Sequence, residues 1–254
     1  STSFRSRSNA WRITDTMMCN MYEINRCLHV ACFIALLGSA ALVQGDQSWP
    51  NFQGPRGSGA TTERLPQELG GKNISWERML PGYGLSTPVV HSNKVFITCS
   101  SGPEQDRLRV LCIDGTKGQS LWERQFWATG RTMCHEKTSV AAPTPCTDGV
   151  RIYALFSSND LVCLDFDGNL IWLRGITADY PNVSNSLGMA SSLVVTDGVV
   201  VAQVENDSES YAIGIDAVTG KNIWKIEREK SANWTSPLVL SPGLVGLQSK
   251  SGID

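Results

Sequence analysis

Neither sign of charge dominates this chain. Its 254 residues carry 22 Lys and Arg against 24 Asp and Glu, a net charge of −2. No basic field exists to hold nucleic acid or anionic lipid. Histidine is scarce, at three residues, and no two of the eight cysteines are adjacent or spaced as Cys-x-x-Cys. Zinc clusters and thioredoxin-type redox chemistry therefore lack their usual ligands. There is no Gly-x-Ser-x-Gly nucleophile and no His-Glu-x-x-His, which removes the commonest hydrolase signatures. Beyond residue 45, no stretch keeps a helical period over several turns. An apolar content of 41% with 18% charged residues and 23 glycines is nonetheless a globular composition, not a disordered one.

The longest apolar run, Leu28–Val43, falls short of the ~20 residues that span a bilayer. Arg26 precedes it, and Val43 and Gly45 suit cleavage before Asp46. Residues 21–45 are thus expected to be a secretory signal peptide, with an uncleaved N-terminal anchor as the alternative. Residues 1–20, rich in Arg and Ser, resemble no element and are expected not to be native structure. Without 1–45, 18 basic and 22 acidic residues remain, a net charge of −4. Five cysteines also remain: Cys99, Cys112, Cys134, Cys146 and Cys163. Export permits disulfides, but an odd count leaves at least one thiol unpaired. Most are expected to be small buried apolar residues.

What the chain does have is a repeat. "IDGTKGQSLW" (113–122), "LDFDGNLIW" (164–172) and "IDAVTGKNIW" (215–224) share one grammar: an aspartate, a turn ending in glycine, and a tryptophan four residues after it. The aspartates Asp114, Asp165 and Asp216 are spaced 51 and 51, and Trp76, Trp122, Trp172 and Trp224 are spaced 46, 50 and 52. A period near 50 marks propeller blades or a solenoid. Ahead of each unit comes a small or proline start, a turn and an apolar strand: 86–97, 143–154 and 191–202, with a further start at 235–240. Each unit reads as four short strands. In the second these are about 144–147, 151–156, 161–165 and 169–173, separated by Asp148-Gly149, Asn159-Asp160 and Asp167-Gly168. Glycine accepts positive φ at such hairpins, and Asp or Asn can bond the turn backbone.

Four up-and-down strands per repeat is one propeller blade, and a lone blade cannot bury both of its faces. The structural repeat residues are therefore assigned as follows. Asp114, Asp165 and Asp216, with Gly118, Gly168 and Gly220, set the hairpins. Trp122, Trp172 and Trp224 wedge between blades, each offering on the order of 200 Å².

The pattern resembles the tryptophan-docking repeat of pyrroloquinoline-quinone (PQQ) type β-propellers, over about residues 49–240. "WPNFQGPRGSG" (49–59), "HEKTSVAAPTPCTDGVRIYALF" (135–156) and "ANWTSPLVL" (232–240) resemble an exported bacterial group of PQQ-like repeat proteins. Relatives of that group include the quinoprotein alcohol and glucose dehydrogenases and the outer-membrane assembly propeller. The resemblance implies an all-β, quinoprotein alcohol dehydrogenase-like propeller of four-stranded antiparallel blades. In the dehydrogenases it also implies eight blades, PQQ with calcium near the axis, a vicinal disulfide, and Glu, Asn and Asp calcium ligands. No position of this chain matches those ligands residue by residue.

The organisation expected is a propeller over 46–254, with repeat units at about 86–127, 141–176 and 190–228 and partial units at 49–80 and 234–254. About four blades are then present, as part of a larger ring. Residues 74–77 are expected to be a lone final strand, and 49–57 a lead-in packing along the propeller. Weak cofactor-binding candidates are His135, Glu136 and Lys137, in the loop 129–145 that also holds Arg131, Cys134 and Thr138. A histidine beside a carboxylate suits acid–base or metal work, although sequence neighbours on a strand face opposite sides. Asp179, Tyr180, Asn182 and Asn185 in the loop 174–192 are further candidates for carbohydrate or metal, and His91 reads as a solvated turn residue. No metal is assigned, and no cofactor except PQQ with calcium under the dehydrogenase alternative. The expected function is an exported, periplasmic or extracellular scaffold. It would bind a protein or polysaccharide partner, with no catalysis of its own and no membrane span after residue 45.

Overall fold

The computed structural model describes residues 48–62, 64–68, 70–184 and 187–254. The expected signal peptide and upstream segment, and Asn185, lie outside the described residues. Among the described residues the protein is all-β but for one turn of 3-10 helix, Ile176–Ala178. The first sheet runs in the order β1 (Ser48–Trp49), β2 (Val89–His91), β3 (Lys94–Ser101), β4 (Arg107–Asp114), β5 (Ser120–Trp127). The second holds β6 (Cys146–Thr147), β7 (Arg151–Leu155), β8 (Asp160–Asp165) and β9 (Leu170–Gly175). The third holds β10 (Val194–Thr196), β11 (Val199–Val204), β12 (Tyr211–Asp216) and β13 (Asn222–Glu227). Two hairpins follow, β14 (Leu238–Ser241) with β15 (Leu244–Gly246), and β16 (Gln248–Ser249) with β17 (Gly252–Ile253). All pairings are antiparallel between sequence neighbours, as in propeller blades.

The middle blade explains why its strands read as continuous apolar runs rather than alternating ones. Ile152, Ala154, Phe156, Val162 and Leu164 pack in one cluster with Val89, Phe96, Leu108 and Val110 of the first blade. The intervening Tyr153, Leu155, Leu161 and Cys163 pack in another, with Val200, Ala202, Ile213 and Ile215 of the third. Successive side chains point to opposite faces, and here both faces are interior. Four of the five cysteines in the described residues sit in these strands and are buried, and all five are free.

The small or proline starts have a shared task that their sequence recurrence did not disclose. The Thr87 N–H donates to Thr144 Oγ1 at 2.9 Å, Thr144 N–H to Ser192 Oγ at 3.0 Å, and Ser192 N–H to Ser236 Oγ at 2.9 Å. Each blade's first strand thus hangs on a hydroxyl of the next. The lead-in crosses this same edge. Ser48–Trp49 pairs with Val90–His91, Pro50 O accepts the Thr147 N–H at 2.9 Å, and Gly57 lies against Leu238. Residues 74–77 are not a strand. No described strand pairs with them, and the Trp76 indole anchors them, as shown next.

Candidate functional site: interblade docking and the loop end

The repeated aspartate acts within its own turn. Asp114 Oδ1 accepts the Thr116 and Lys117 N–H groups at 2.9 and 2.7 Å. Asp165 Oδ1 accepts from Asp167 and Asn169 at 2.9 and 2.8 Å, and Asp216 Oδ1 from Val218 and Thr219 at 3.1 and 2.7 Å. Every blade carries a register shift at the same place before the turn, at Cys112/Ile113, Cys163/Leu164 and Gly214/Ile215. These bonds favour the ionised form and hold all three carboxyls below the ordinary value. The leading causes are the Lys117 N–H at Asp114, the Asn169 side chain at Asp165, and the Thr219 N–H at Asp216.

A folded value below the unfolded one, about 3.9, stabilises the fold above that pH. The contribution is lost as pH falls through the folded value. The native protein should therefore lose thermal stability more steeply as pH falls below about 5 than the triple variant Asp114→Asn, Asp165→Asn, Asp216→Asn. Parallel curves would remove this role.

The repeated glycine does more than shape its hairpin. It is the floor on which the preceding blade's tryptophan rests. Gly118, Gly168 and Gly220 have φ of +67°, +81° and +70°. A Cβ there would lie 2.6 to 2.7 Å from an indole atom of Trp76, Trp122 and Trp172 respectively. Each indole N–H also donates to a carbonyl of that same turn: Trp76 to Gly115 O at 2.7 Å, Trp122 to Phe166 O at 2.9 Å, Trp172 to Ala217 O at 3.2 Å.

An arginine two residues after each of these tryptophans completes the dock. Arg78, Arg124 and Arg174 donate to Gly118 O, Gly168 O and Gly220 O at 3.1, 2.6 and 2.9 Å. The Trp-x-Arg spacing is visible in the sequence at Trp76, Trp122 and Trp172 and breaks in the third unit, which has Ile226 at that position. Gly168→Ala should cost about 2 kcal/mol, the sum of a left-handed φ and the blocked indole. Gly198, at φ +74° with nothing within 4 Å of a built Cβ, supplies the control. Gly198→Ala should cost about 1 kcal/mol less than Gly168→Ala in denaturant unfolding, and equal losses would mean that the indole contact contributes nothing.

The other end of the blades carries the long connections. His135, Glu136 and Lys137 are all exposed, and His135 Nδ1 accepts the Lys137 N–H at 3.1 Å, a local turn bond. The His135 N–H donates to Leu187 O at 3.1 Å, and Trp234 Nε1 donates to Gly188 O at 3.0 Å, so three successive interblade connections are tied together. Cys134 is half-buried, with Gln105 Nε2 3.7 Å from its sulfur, and burial raises its thiol pKa. Beside it, Pro103, Glu104, Gln105 and Gly130–Cys134 line a shallow hollow of about 550 Å³.

The second candidate loop is used mainly in packing. Tyr180 stacks on Tyr211 at 4.6 Å between centroids, its hydroxyl accepts Asn222 Nδ2 at 2.6 Å, and Asp179 pairs with Arg174. Asn182 is exposed, and its N–H reaches Glu209 Oε2 at 3.3 Å. His91 ends β2 and packs on Phe166 at 5.3 Å, so it is less solvated than its turn-like context suggested. The remaining thiols are poor nucleophiles. Burial raises Cys99 and Cys112 to about 11 and Cys163 to about 12, and lifts Cys146 well above its ordinary value.

Four-stranded blades locked by an indole, a glycine turn and an arginine define a β-propeller of the PQQ-repeat type. More narrowly, the chain belongs to the family described as outer membrane protein assembly factor BamB, whose profile matches residues 70–252. It is 23% identical over 213 residues to the outer membrane protein assembly factor BamB of Moranella endobia (strain PCIT), an alignment covering 68% of this chain and 51% of that protein. The chain thus spans about half the length of this relative. Among solved structures, BamB from Moraxella catarrhalis aligns with a TM-score of 0.41 and 18% identity, covering 61% of this chain and 42% of that one. Quinohemoprotein alcohol dehydrogenase from Comamonas testosteroni aligns with a TM-score of 0.46 and 20% identity, covering 57% and 21%.

The donor set does not fit a quinone–calcium centre. The sequence has no adjacent cysteines. Among the described residues, no three His, Cys, Asp or Glu side chains converge on a point that could hold a metal ion. Each repeated aspartate spends its Oδ1 on turn N–H groups.

Proposed function

We infer that this protein is an exported, non-catalytic propeller scaffold that binds a protein partner, with residues 21–45 as the leader and 46–254 as propeller. The observation that carries this reading is the family match over residues 70–252, whose description is an assembly factor rather than an enzyme. That description also favours a protein partner over a polysaccharide. The use of the repeated polar residues supports it, since Asp is consumed within its own turn and Trp and Arg in locking blade to blade. A scaffold so locked presents its connecting loops and strand edges with little conformational freedom to lose. Binding then forfeits less entropy than it would on a flexible chain. Among the described residues no helix is long and apolar enough to cross a membrane.

The test is made on the full-length protein expressed with its leader in a Gram-negative host. Fractionation should place it outside the cytoplasm, and in-cell cross-linking should join it to a component of outer-membrane protein assembly. Retention in the cytoplasm would overturn the export. Dye reduction that depends on added PQQ and calcium would overturn the non-catalytic reading.

A further inference from the structure

Trp127 has no part in the blade docks. It lies five residues past Trp122, a position that the other units fill with Thr177 and Glu229. It ends β5 and is 60% exposed. Exposure alone assigns nothing to a single aromatic, but its surroundings do. Arg107, directly opposite on β4, lays its guanidinium over the ring at 5.4 Å from the centroid. The indole is held on that side, and its exposed remainder forms a platform. The shallow hollow described above is built from the same two chain segments. Gly130 lines it and lies three residues past Trp127, at most about 10 Å of chain. The turn carrying Glu104 and Gln105 lines it as well. This frame is rigid. Asp106 O accepts the Ala128 N–H at 2.9 Å, and Gln105 Oε1 accepts from Ser100 Oγ at 2.9 Å and the Val140 N–H at 3.1 Å. The charges on it are unspent. Among the described residues no carboxylate pairs with Arg107 or Arg131 and no cation pairs with Glu104. All three are exposed, and Arg131 Nη2 approaches Met133 Sδ at 3.6 Å.

We propose that Trp127 and this hollow bind a carboxylated glycan. The activity lies beyond the protein-partner reading and does not depend on it. A sugar ring has an apolar face of C–H groups and a rim of hydroxyls. The indole gives the first a flat, rigid surface. Glu104 accepts from the hydroxyls, and the guanidiniums donate to them. Two guanidiniums against one carboxylate leave a local positive excess on a chain of net charge −2. The planar N–H pairs of arginine match a carboxylate with two parallel hydrogen bonds, so the sugar that fits carries carboxyl groups. A neutral glycan leaves the excess unanswered. An apolar protein segment would desolvate Arg107, Arg131 and Glu104 without pairing them, whereas a hydroxyl-rich acid pairs all three. Because the turn and the end of β5 are already tied together, binding orders little of the protein.

The test uses the full chain labelled with ¹⁵N-tryptophan, a galacturonic acid hexamer, and the same hexamer with its carboxyls methyl-esterified. The acid should shift the Trp127 Nε1–H signal saturably and leave those of Trp76, Trp122 and Trp172 in place. The ester should bind at least about tenfold more weakly, because it loses the charge-assisted pairs. By calorimetry, Trp127→Ala and Arg131→Gln should each weaken binding of the acid about tenfold. Both side chains are exposed and outside the blade docks, and an unchanged unfolding midpoint verifies that each variant is folded; if Trp127→Ala is not, Arg131→Gln decides. No shift of Trp127 with the acid, equal affinity for acid and ester, or full affinity in the folded variants would overturn the proposal. A Trp127 signal that moves with the cross-linked protein partner and with neither oligosaccharide would also overturn it, and would leave the scaffold reading standing.

Discussion

Trp172→Ala is expected to lower stability by about 3 kcal/mol, within the range for truncating a large aromatic and reduced from its top because the indole is half-buried. For about 200 residues that corresponds to a drop in Tm of roughly 6–12 °C. The loss has identifiable parts. The indole leaves the Gly220 floor, the Ala217 carbonyl loses one of its two donors and keeps the Tyr153 hydroxyl, and the ring contact with Tyr153 at 6.0 Å disappears. Trp172→Phe should recover the packing but not the hydrogen bond, leaving a deficit of about 1 kcal/mol. Thermal and urea unfolding of the three proteins decides it. An alanine variant as stable as the parent would mean that the blades are held together by the buried clusters alone.

The second large effect lies at the blade junction that follows. Glu205 and Arg228 form an ion pair at 2.7 Å with side chains only 2% and 5% exposed, and Asn233 Nδ2 donates to the second carboxylate oxygen at 2.6 Å. Taking two charges out of water is costly, and the pair repays it only while both partners remain. Arg228→Met should therefore cost about 3–5 kcal/mol, because it strands a buried carboxylate. Adding Glu205→Leu to that variant should restore most of the loss, since two apolar groups of similar size tolerate the site better than one unpaired charge. Urea unfolding of the single and double variants measures the coupling. A double variant no more stable than Arg228→Met would show that the cost is lost packing rather than stranded charge.

The fold is largely legible in the sequence, and the reason is physical. A blade must present the same docking surface to each neighbour, so its residues recur at constant spacing and the period exposes them. Asp114, Gly118 and Trp122 could be found by counting. What counting missed are contacts made between repeats. The glycine was assigned to aiming its own strand. Its second role, as floor for the indole some 46 residues upstream in the case of Gly168, belongs to no single repeat unit. The Trp-x-Arg spacing and the Thr87–Thr144–Ser192–Ser236 chain were hidden for the same reason, and because threonine, serine and proline at strand starts have many uses. Residues 74–77 were read as a strand on local pattern. Strand formation needs a neighbour, and only the indole found one.

The loop end was far less legible. His135 and Glu136 attract notice by type, yet both side chains are exposed and the histidine ring serves a turn. Tyr180, one of the loop candidates for carbohydrate or metal, is packed under Lys225, whose Nζ lies 4.5 Å from its ring centroid.

The docking of indoles onto glycine turns is the claim on which the rest depends, and proton exchange at the indole nitrogens tests it most directly. In ¹⁵N-tryptophan-labelled full-length protein, the Nε1 protons of Trp76, Trp122 and Trp172 should exchange slowly. Trp127, 60% exposed and with no acceptor described for its indole, should exchange at nearly the rate of a free indole. Equal, fast exchange at all four would contradict the account.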